Sequence, residues 1–304
     1  MSETLHILPI PVILNPQSGG GSAARDDEVR AAFSSHGLTA EIQNAGDDGD
    51  GDLASLVRAC VARRVPVVVV GGGDGSLHTA AGVLAGTETA LGILPVGTLN
   101  HFAKDLGLPL GLKEAVDVIA GGVVRRVDVG EANGQVFLNN ASLGLYPSVV
   151  RRREALRQRL GQGKWPALVV ASWRALLHYR LLHVRVASGA EERKRKTPFV
   201  FVGNNVYAME GLDIGTRPAL DGGVLSLYMA RRESPFRLIL LAVAALFGRL
   251  RQARDFEALT SKDVRIHTRR PRESVGLDGE LVTMETPIHC TVRPGALRVV
   301  VPAA

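Results

Sequence analysis

The chain has 304 residues, 46% hydrophobic and 22% charged, a globular balance that excludes a disordered or fibrous protein and leaves room for two domains. The net charge is +6 with a pI near 9.7. Two cysteines, Cys60 and Cys290, stand far apart, which excludes a disulfide framework and fits a reducing compartment.

The opening MSETLHILPIPVILN has no basic start or small-residue cleavage site and reads as a strand. NPQSGGGSAA is a turn, Arg25 to His36 a helix and LTAEIQ a strand. Leu53 to Arg64 reads as a helix and VPVVVV as a fully buried strand. GGGDGS is then a turn, followed by a helix from Leu77 to Leu84, the strand LGILPV and a helix from Leu112 to Ala120. Strands alternating with helices across short turns predict a parallel sheet covered on both faces.

Past residue 130 the rhythm changes. RLLHVRVAS, PFVFVGNN, GVLSLYMA, DVRIHT and IHCTVRPGALRVVVP alternate as half-buried antiparallel strands do. Within the last, Arg293-Pro294-Gly295-Ala296 predicts a hairpin turn between two strands. Trp165 to His178 and Pro235 to Asp255 read as helices. The longest uncharged apolar run, LILLAVAALFG, has eleven residues. As a helix it spans about 16 Å, roughly half a bilayer core. The expectation is a cytoplasmic protein, at most peripheral on the inner face of the membrane.

Three glycine-rich turns follow strands: Asn15 to Ala24, Gly71 to Ser76, and Leu94 to Pro109 with Gly97, Thr98 and Asn100. Glycine lets a backbone approach a phosphate, and a helix N-terminus favours negative charge. In a parallel sheet such turns emerge at the carboxyl ends of the strands, where α/β folds bind ligands. The dinucleotide fingerprint is absent, since Ser76 stands where its sixth position needs glycine, and there is no GxxxxGK[ST]. Asp74 inside the turn would repel a phosphate unless a metal or proton intervenes. The plainer reading of each turn alone is a tight strand-to-helix connection.

Together these stretches resemble the diacylglycerol kinase catalytic family, which includes bacterial soluble lipid kinases and sphingosine and ceramide kinases, with NAD kinases as distant cousins. The resemblance rests on Asn15-Pro16-Gln17-Ser18-Gly19, Gly72-Gly73-Asp74-Gly75-Ser76, Leu94 to Ala103, Asp221-Gly222 and Asp278-Gly279-Glu280, in that order along almost the whole chain. It implies an N-terminal α/β nucleotide-binding domain with a parallel sheet, and a second, mainly antiparallel β domain. The expected division is 1–130 and 131–291, with a final strand from about 292–304 returning to the first domain and the active site in the cleft.

By position, the resemblance implies that Asn15, Pro16, Gln17, Ser18, Gly19, Gly72, Gly73, Asp74, Gly75, Ser76, Leu77, His78 and Thr98 surround ATP. Glu280 would be the general base, with Asp278 beside it. Asp74 and Asp128 would organise Mg²⁺ and water, and Asp221 would help to hold a second, structural Mg²⁺. The chain departs from the pattern at His101, where the family has aspartate, and at His78-Thr79, where it has Asn-Glu. Without its companions, Leu277-Asp278-Gly279-Glu280 would read as a hairpin turn with a solvated carboxylate.

Residues 121–180 hold ten Arg or Lys against three Asp or Glu, six of the ten between Arg151 and Trp165. The expected partners are a lipid substrate at a membrane surface and anionic headgroups met by this region; nucleic acid is not expected. Trp165, Trp173, His178 and Tyr179 beside the basic run would seat such a surface or fill a core. DDGDGD (Asp47 to Asp52) imitates a calcium loop, but Leu53 stands at the glycine position and Ala59 at the glutamate, so it reads as an acidic surface loop. The reading is an ATP- and Mg²⁺-dependent lipid kinase. Its alternatives are a kinase for a soluble hydroxyl substrate and a nucleotide-binding regulator.

Overall fold

The computed structural model describes residues 9–16, 22–46, 51–144, 181–189, 191–208, 215–230 and 256–303. The helices expected at Trp165 to His178 and Pro235 to Asp255 lie outside them, as do Gln17, Ser18, Gly19 and the basic run from Arg151. The chain forms two compact units, residues 1–129 with 293–304, and residues 130–292.

The first unit alternates β1 (Ile10–Leu14), α1 (Ser22–Ser34), β2 (Ala40–Asn44), α2 (Leu53–Ala62), β3 (Val67–Gly72), α3 (Asp74–Leu84), β4 (Ala90–Pro95), α4 (His101–Asp105) and α5 (Leu112–Gly121). The sheet order is β2-β1-β3-β4, and every pairing is parallel. All residues of β3 and β4 are buried, which is why their sequences run apolar without alternation. Val12, Leu14, Phe33, Val69, Leu94 and Val116 belong to one apolar cluster of this unit. Asp52, the last acid of DDGDGD, caps α2: its carboxylate accepts from the Ser55 N–H at 3.0 Å.

Two boundaries differ from expectation. Gly71 and Gly72 are the last residues of β3, and α3 starts at Asp74 rather than Leu77. Gly71 pairs with Leu14 and Leu94, and Gly72 with Pro95, so the ladder extends through the glycines. Within the loop predicted from Leu94 to Pro109 stands the short helix α4.

In the second unit, the later part of β5 (Val123–Ala132) turns back into β6 (Gln135–Phe137). A six-stranded antiparallel sheet follows, ordered β12 (Phe256–Ser261), β11 (Leu225–Ala230), β10 (Phe199–Asn204), β7 (Asn140–Gly144), β14 (Arg272–Leu277) and β15 (Glu280–Glu285). The other sheet of this unit runs β9 (Glu191–Thr197), β8 (Leu182–Ser188), β13 (Asp263–His267), and then the beginning of β16 (Ile288–Val301). Leu143, Val200, Val202, Leu227 and Val275 of the first sheet share one buried cluster with Val184, Val186, Val264, Ile266 and Cys290 of the second. This is a two-layer antiparallel β domain.

The hairpin expected at Arg293-Pro294-Gly295-Ala296 does not form. β16 runs on without reversal through these residues, pairing antiparallel with β13 before them and parallel with β4 at Val299 after them. Each half has its own partner strand, and the Gly295 N–H is taken by the Asp128 carboxylate at 2.8 Å, which leaves no cause for the chain to fold back.

Candidate functional site

In the first unit, parallel pairing brings the ends of β1, β3 and β4 to one edge of the sheet. The Asn15 N–H donates to the Gly71 carbonyl at 2.9 Å, and Asn15 Nδ2 donates to Ser76 Oγ at 2.9 Å. The turn after β1 is thereby tied to the first turn of α3. Gly97 lies against Gly73: a Cβ added to Gly97 would stand 2.4 Å from the Gly73 Cα. Two backbones meet here at a distance that leaves no room for a side chain at Gly97.

Asn100 fixes this corner. Its φ of 52° is left-handed, it is 4% exposed, and its Nδ2 donates to the carbonyls of Pro95 and Gly97 at 2.9 Å each. Its Oδ1 is buried without a hydrogen-bond partner, an acceptor open to a donor on an arriving ligand. Sequence reasoning named Asn100 only as part of the third turn. An asparagine beside a glycine-threonine turn was the available signal, because Asn tolerates the left-handed region.

The other predicted residues divide. Gly72, Gly73, Gly75 and Ser76 stand at the β3–α3 junction. Leu77 is fully buried, so its side chain belongs to the core. His78 is half-buried on α3, and the Thr79 hydroxyl donates back to the Gly75 carbonyl at 3.1 Å. Thr98 and Pro16 are exposed. Asp74 opens α3 and its Oδ1 accepts the Phe102 N–H at 3.2 Å, so its carboxylate anchors the start of α4. Asp128, 2% exposed, accepts from Gly295.

In the second unit, Asp278 and Gly279 form the two-residue turn between β14 and β15, both with positive φ, 48° and 96°. Asp-Gly is the dipeptide such a turn selects. The Asp278 carboxylate accepts three backbone N–H groups, from Leu138 at 2.7 Å, Asn139 at 2.7 Å and Asn140 at 2.9 Å. Glu280, two residues on, is exposed. Sequence reasoning missed Arg217. Only 3% exposed, it donates to the carbonyls of Leu138 and Asn204 and to Asn139 Oδ1, with its guanidinium 5.6 Å from the centre of the Tyr207 ring. Nothing in the local sequence marks it among the many arginines of the chain.

Phosphate suits the first unit's turns through the backbone N–H groups at the start of α3, whereas the buried Asn100 acceptor would meet a donor, such as a hydroxyl or amine of a nucleotide, and not a phosphate oxygen. Metal is different. Among the described residues no group of three or more His, Cys, Asp or Glu side chains gathers to hold a cation. Asp221 is exposed, and the stretch before it, 209–214, lies outside the described residues. The side chains in view do not build an Mg²⁺ cage.

The description "Diacylglycerol kinase catalytic domain" fits residues 9–132, and "YegS C-terminal NAD kinase beta sandwich-like domain" fits residues 140–301. A diacylglycerol kinase of Mycobacterium tuberculosis is 31% identical over 308 aligned positions, covering 96% of this chain and 95% of that protein. A probable lipid kinase YegS-like of Chromohalobacter salexigens is 30% identical, covering 74% of this chain and 72% of its own. The crystal structure of a diacylglycerol kinase from Bacillus anthracis superposes with a TM-score of 0.74 at 22% identity, covering 96% of both chains, and so speaks for the fold. The chain belongs to the diacylglycerol kinase catalytic-domain family, a family of lipid kinases. No helix among the described residues is long and apolar enough to cross a membrane.

Proposed function

We propose that this chain transfers the γ-phosphate of ATP to a hydroxyl of diacylglycerol or a related membrane lipid. The observation that carries the reading is the meeting of the glycine-rich turns after β1, β3 and β4 at one edge of the parallel sheet, with Asn15 bound to Ser76 and Gly97 packed on Gly73. Phosphoryl transfer depends on positioning and charge neutralisation more than on covalent help. Backbone N–H groups around Gly72, Gly73, Gly75 and Ser76 meet the ATP phosphates, and the N-terminus of α3 adds its dipole. The lipid hydroxyl oxygen bonds to the γ-phosphorus, the bond from that phosphorus to the bridging oxygen of ADP breaks, and Glu280 takes the hydroxyl proton.

Glu280 suits the base role because the structure gives it no backbone duty, whereas Asp278, Asp74 and Asp128 each accept main-chain N–H groups. Mg²⁺ would arrive with the nucleotide, held by phosphates and water with few protein ligands, as is usual for this ion. The basic region 121–180 would meet anionic headgroups, and Asp221 would help to hold a structural cation.

The test is transfer of labelled γ-phosphate to a mixed-micelle panel of diacylglycerol, monoacylglycerol, phosphatidylglycerol, ceramide and sphingosine. A labelled lipid that falls by at least about 100-fold with Glu280→Gln is the expected result. A preparation that binds ATP but labels no lipid would sink the reading in favour of a soluble hydroxyl substrate or a nucleotide-binding regulator.

A further inference from the structure

The strand β9, EERKRKT, is the most highly charged strand of the second unit, and its two faces do different work. Arg193 and Arg195 point one way and clamp Glu257 of β12: Arg193 Nη1 is 2.8 Å from Oε1 and Arg195 Nε 2.8 Å from Oε2. Lys194 and Lys196 take the other face. In register, Lys196 stands opposite His183 of β8, while Lys194 stands opposite Arg185, which in turn stands opposite His267 of β13. Opposed residues of neighbouring strands share a face, about 4.8 Å apart. The reverse face of β8 and β13 is core, with Val184, Val186, Val264 and Ile266 buried.

His183, Arg185, Lys194, Lys196, His267 and Arg269 therefore form one broad cationic face around an open depression of about 520 Å³. Arg185, Lys194, Lys196 and Arg269 are exposed. The acids of this face are Glu192, 4.0 Å from Arg185 and 3.9 Å from Lys194, and Asp263 of β13, 3.9 Å from Arg265, so five permanent cations, Arg185, Lys194, Lys196, Arg265 and Arg269, face two carboxylates. Desolvation, then the cations of Arg269 and Lys196, holds the His183 imidazole below its ordinary value, a sign that positive potential converges there.

We infer that the outer face of β8, β9 and β13 docks the chain on an anionic lipid surface. Charge complementarity carries this, and so does shape. An open array on three neighbouring strands, of which β9 is the sheet edge, suits a plane of headgroups better than one enclosed ligand. The depression is lined by no Phe, Tyr or Trp, which disfavours single-stranded nucleic acid, whose bases stack on such rings. The face is distinct in sequence from the 121–180 region. The choice of lipid over other polyanions rests on the proposed lipid kinase reading, because an enzyme whose substrate sits in a bilayer gains from a surface that holds it there.

The experiment is flotation of the full chain with vesicles of phosphatidylcholine, with and without phosphatidylglycerol, at low and high salt. Three proteins are compared: wild type, Lys194→Gln/Lys196→Gln/Arg269→Gln, and a control with equal charge loss elsewhere, Arg30→Gln/Arg58→Gln/Lys113→Gln. Wild type and control should bind anionic vesicles in a salt-sensitive way, and the face variant at least about tenfold less, since each basic residue near such a surface is worth roughly fivefold. Equal binding by all three, equal loss in both variants, or retention of single-stranded RNA without vesicle binding would overturn the inference. A fourth protein, Arg151→Gln/Arg152→Gln/Arg153→Gln, is floated in the same way, and loss confined to it would also overturn the inference. Phosphate transfer to a short-chain, water-soluble diacylglycerol is measured alongside. A wild type inactive there but bound to vesicles sinks the kinase reading and spares this one.

Discussion

Asp278 and Arg217 hold the same piece of backbone from opposite ends of its peptide dipoles. The Asp278 carboxylate receives the N–H groups of Leu138, Asn139 and Asn140. The Arg217 guanidinium donates to the Leu138 carbonyl at 2.6 Å and to Asn139 Oδ1 at 2.7 Å. Asn204 Nδ2 and the Tyr207 hydroxyl complete the carbonyl side, on Leu138 and Asn139 respectively. An anion thus sits where the peptides are positive and a cation where they are negative, and Glu280 projects from the turn so held.

Asp278→Ala strands three N–H groups, and the expected cost is about 3 kcal/mol of stability, since hydrogen bonds to a charged group exceed neutral ones. Glu280→Gln, at an exposed position, should leave stability within about 0.5 kcal/mol. Urea unfolding of both variants measures this. Equal midpoints would show that the Asp278 bonds do not hold the fold.

Gly97→Ala and Gly82→Ala should act in opposite directions. The first places a Cβ 2.4 Å from the Gly73 Cα, backbone that has no flexible end to yield, and is expected to cost about 1–3 kcal/mol and to weaken ATP binding. The second adds a methyl group in open space on the exposed side of α3 and should stabilise by about 0.5–1 kcal/mol. Thermal unfolding and ATP titration of both variants are the check, and stabilisation by Gly97→Ala would refute the close approach.

Hydrogen bonding to Arg195, then to Arg193, outweighs desolvation and holds the Glu257 carboxyl below its ordinary 4.5. A depressed folded value means stability that is present above 4.5 and lost as pH falls through the folded value. Glu257→Gln should therefore be less stable than wild type at pH 7, with the gap closing as pH drops below 4.5. Denaturant midpoints across that window test the sign. A gap that widens toward acid would contradict the clamp.

Burial pushes the Cys290 thiol up to about 12. Cys60, also buried, is raised too, chiefly by desolvation. Thiolate is the reactive form, so neither should react with a disulfide reagent in the native state at pH 8, and both should react on unfolding. Rapid native labelling of Cys290 would place it outside the core.

What could be read from the chain alone was local. VPVVVV declares a strand buried on both faces, and the alternation of DVRIHT declares one buried on a single face, because side-chain period and burial are written within a few residues. Glycine turns after successive strands point to one sheet edge for the same reason, and their order along the chain points to a family. Arg293-Pro294-Gly295-Ala296 shows where that reading fails: its composition suits a turn, yet these residues are part of the one strand β16, whose earlier half pairs with β13 and whose later half pairs with β4. α4 was hidden because five residues carry too little periodicity to stand out.

The duties of the acids came only from tertiary structure. Asp74, Asp128 and Asp278 looked alike as acids near glycines, but their carboxylates bind N–H groups 28, 167 and 138 to 140 positions away. Arg217 reaches Leu138 across 79 positions. Sequence by itself determined the strand–helix alternation of the first unit and the half-buried strands β8, β10, β11 and β13, since conformational preference acts over a few neighbouring residues. Which carboxylates anchor backbone and which, like Glu280, stand exposed was decided by folding, because a hydrogen-bond partner is chosen by proximity in space.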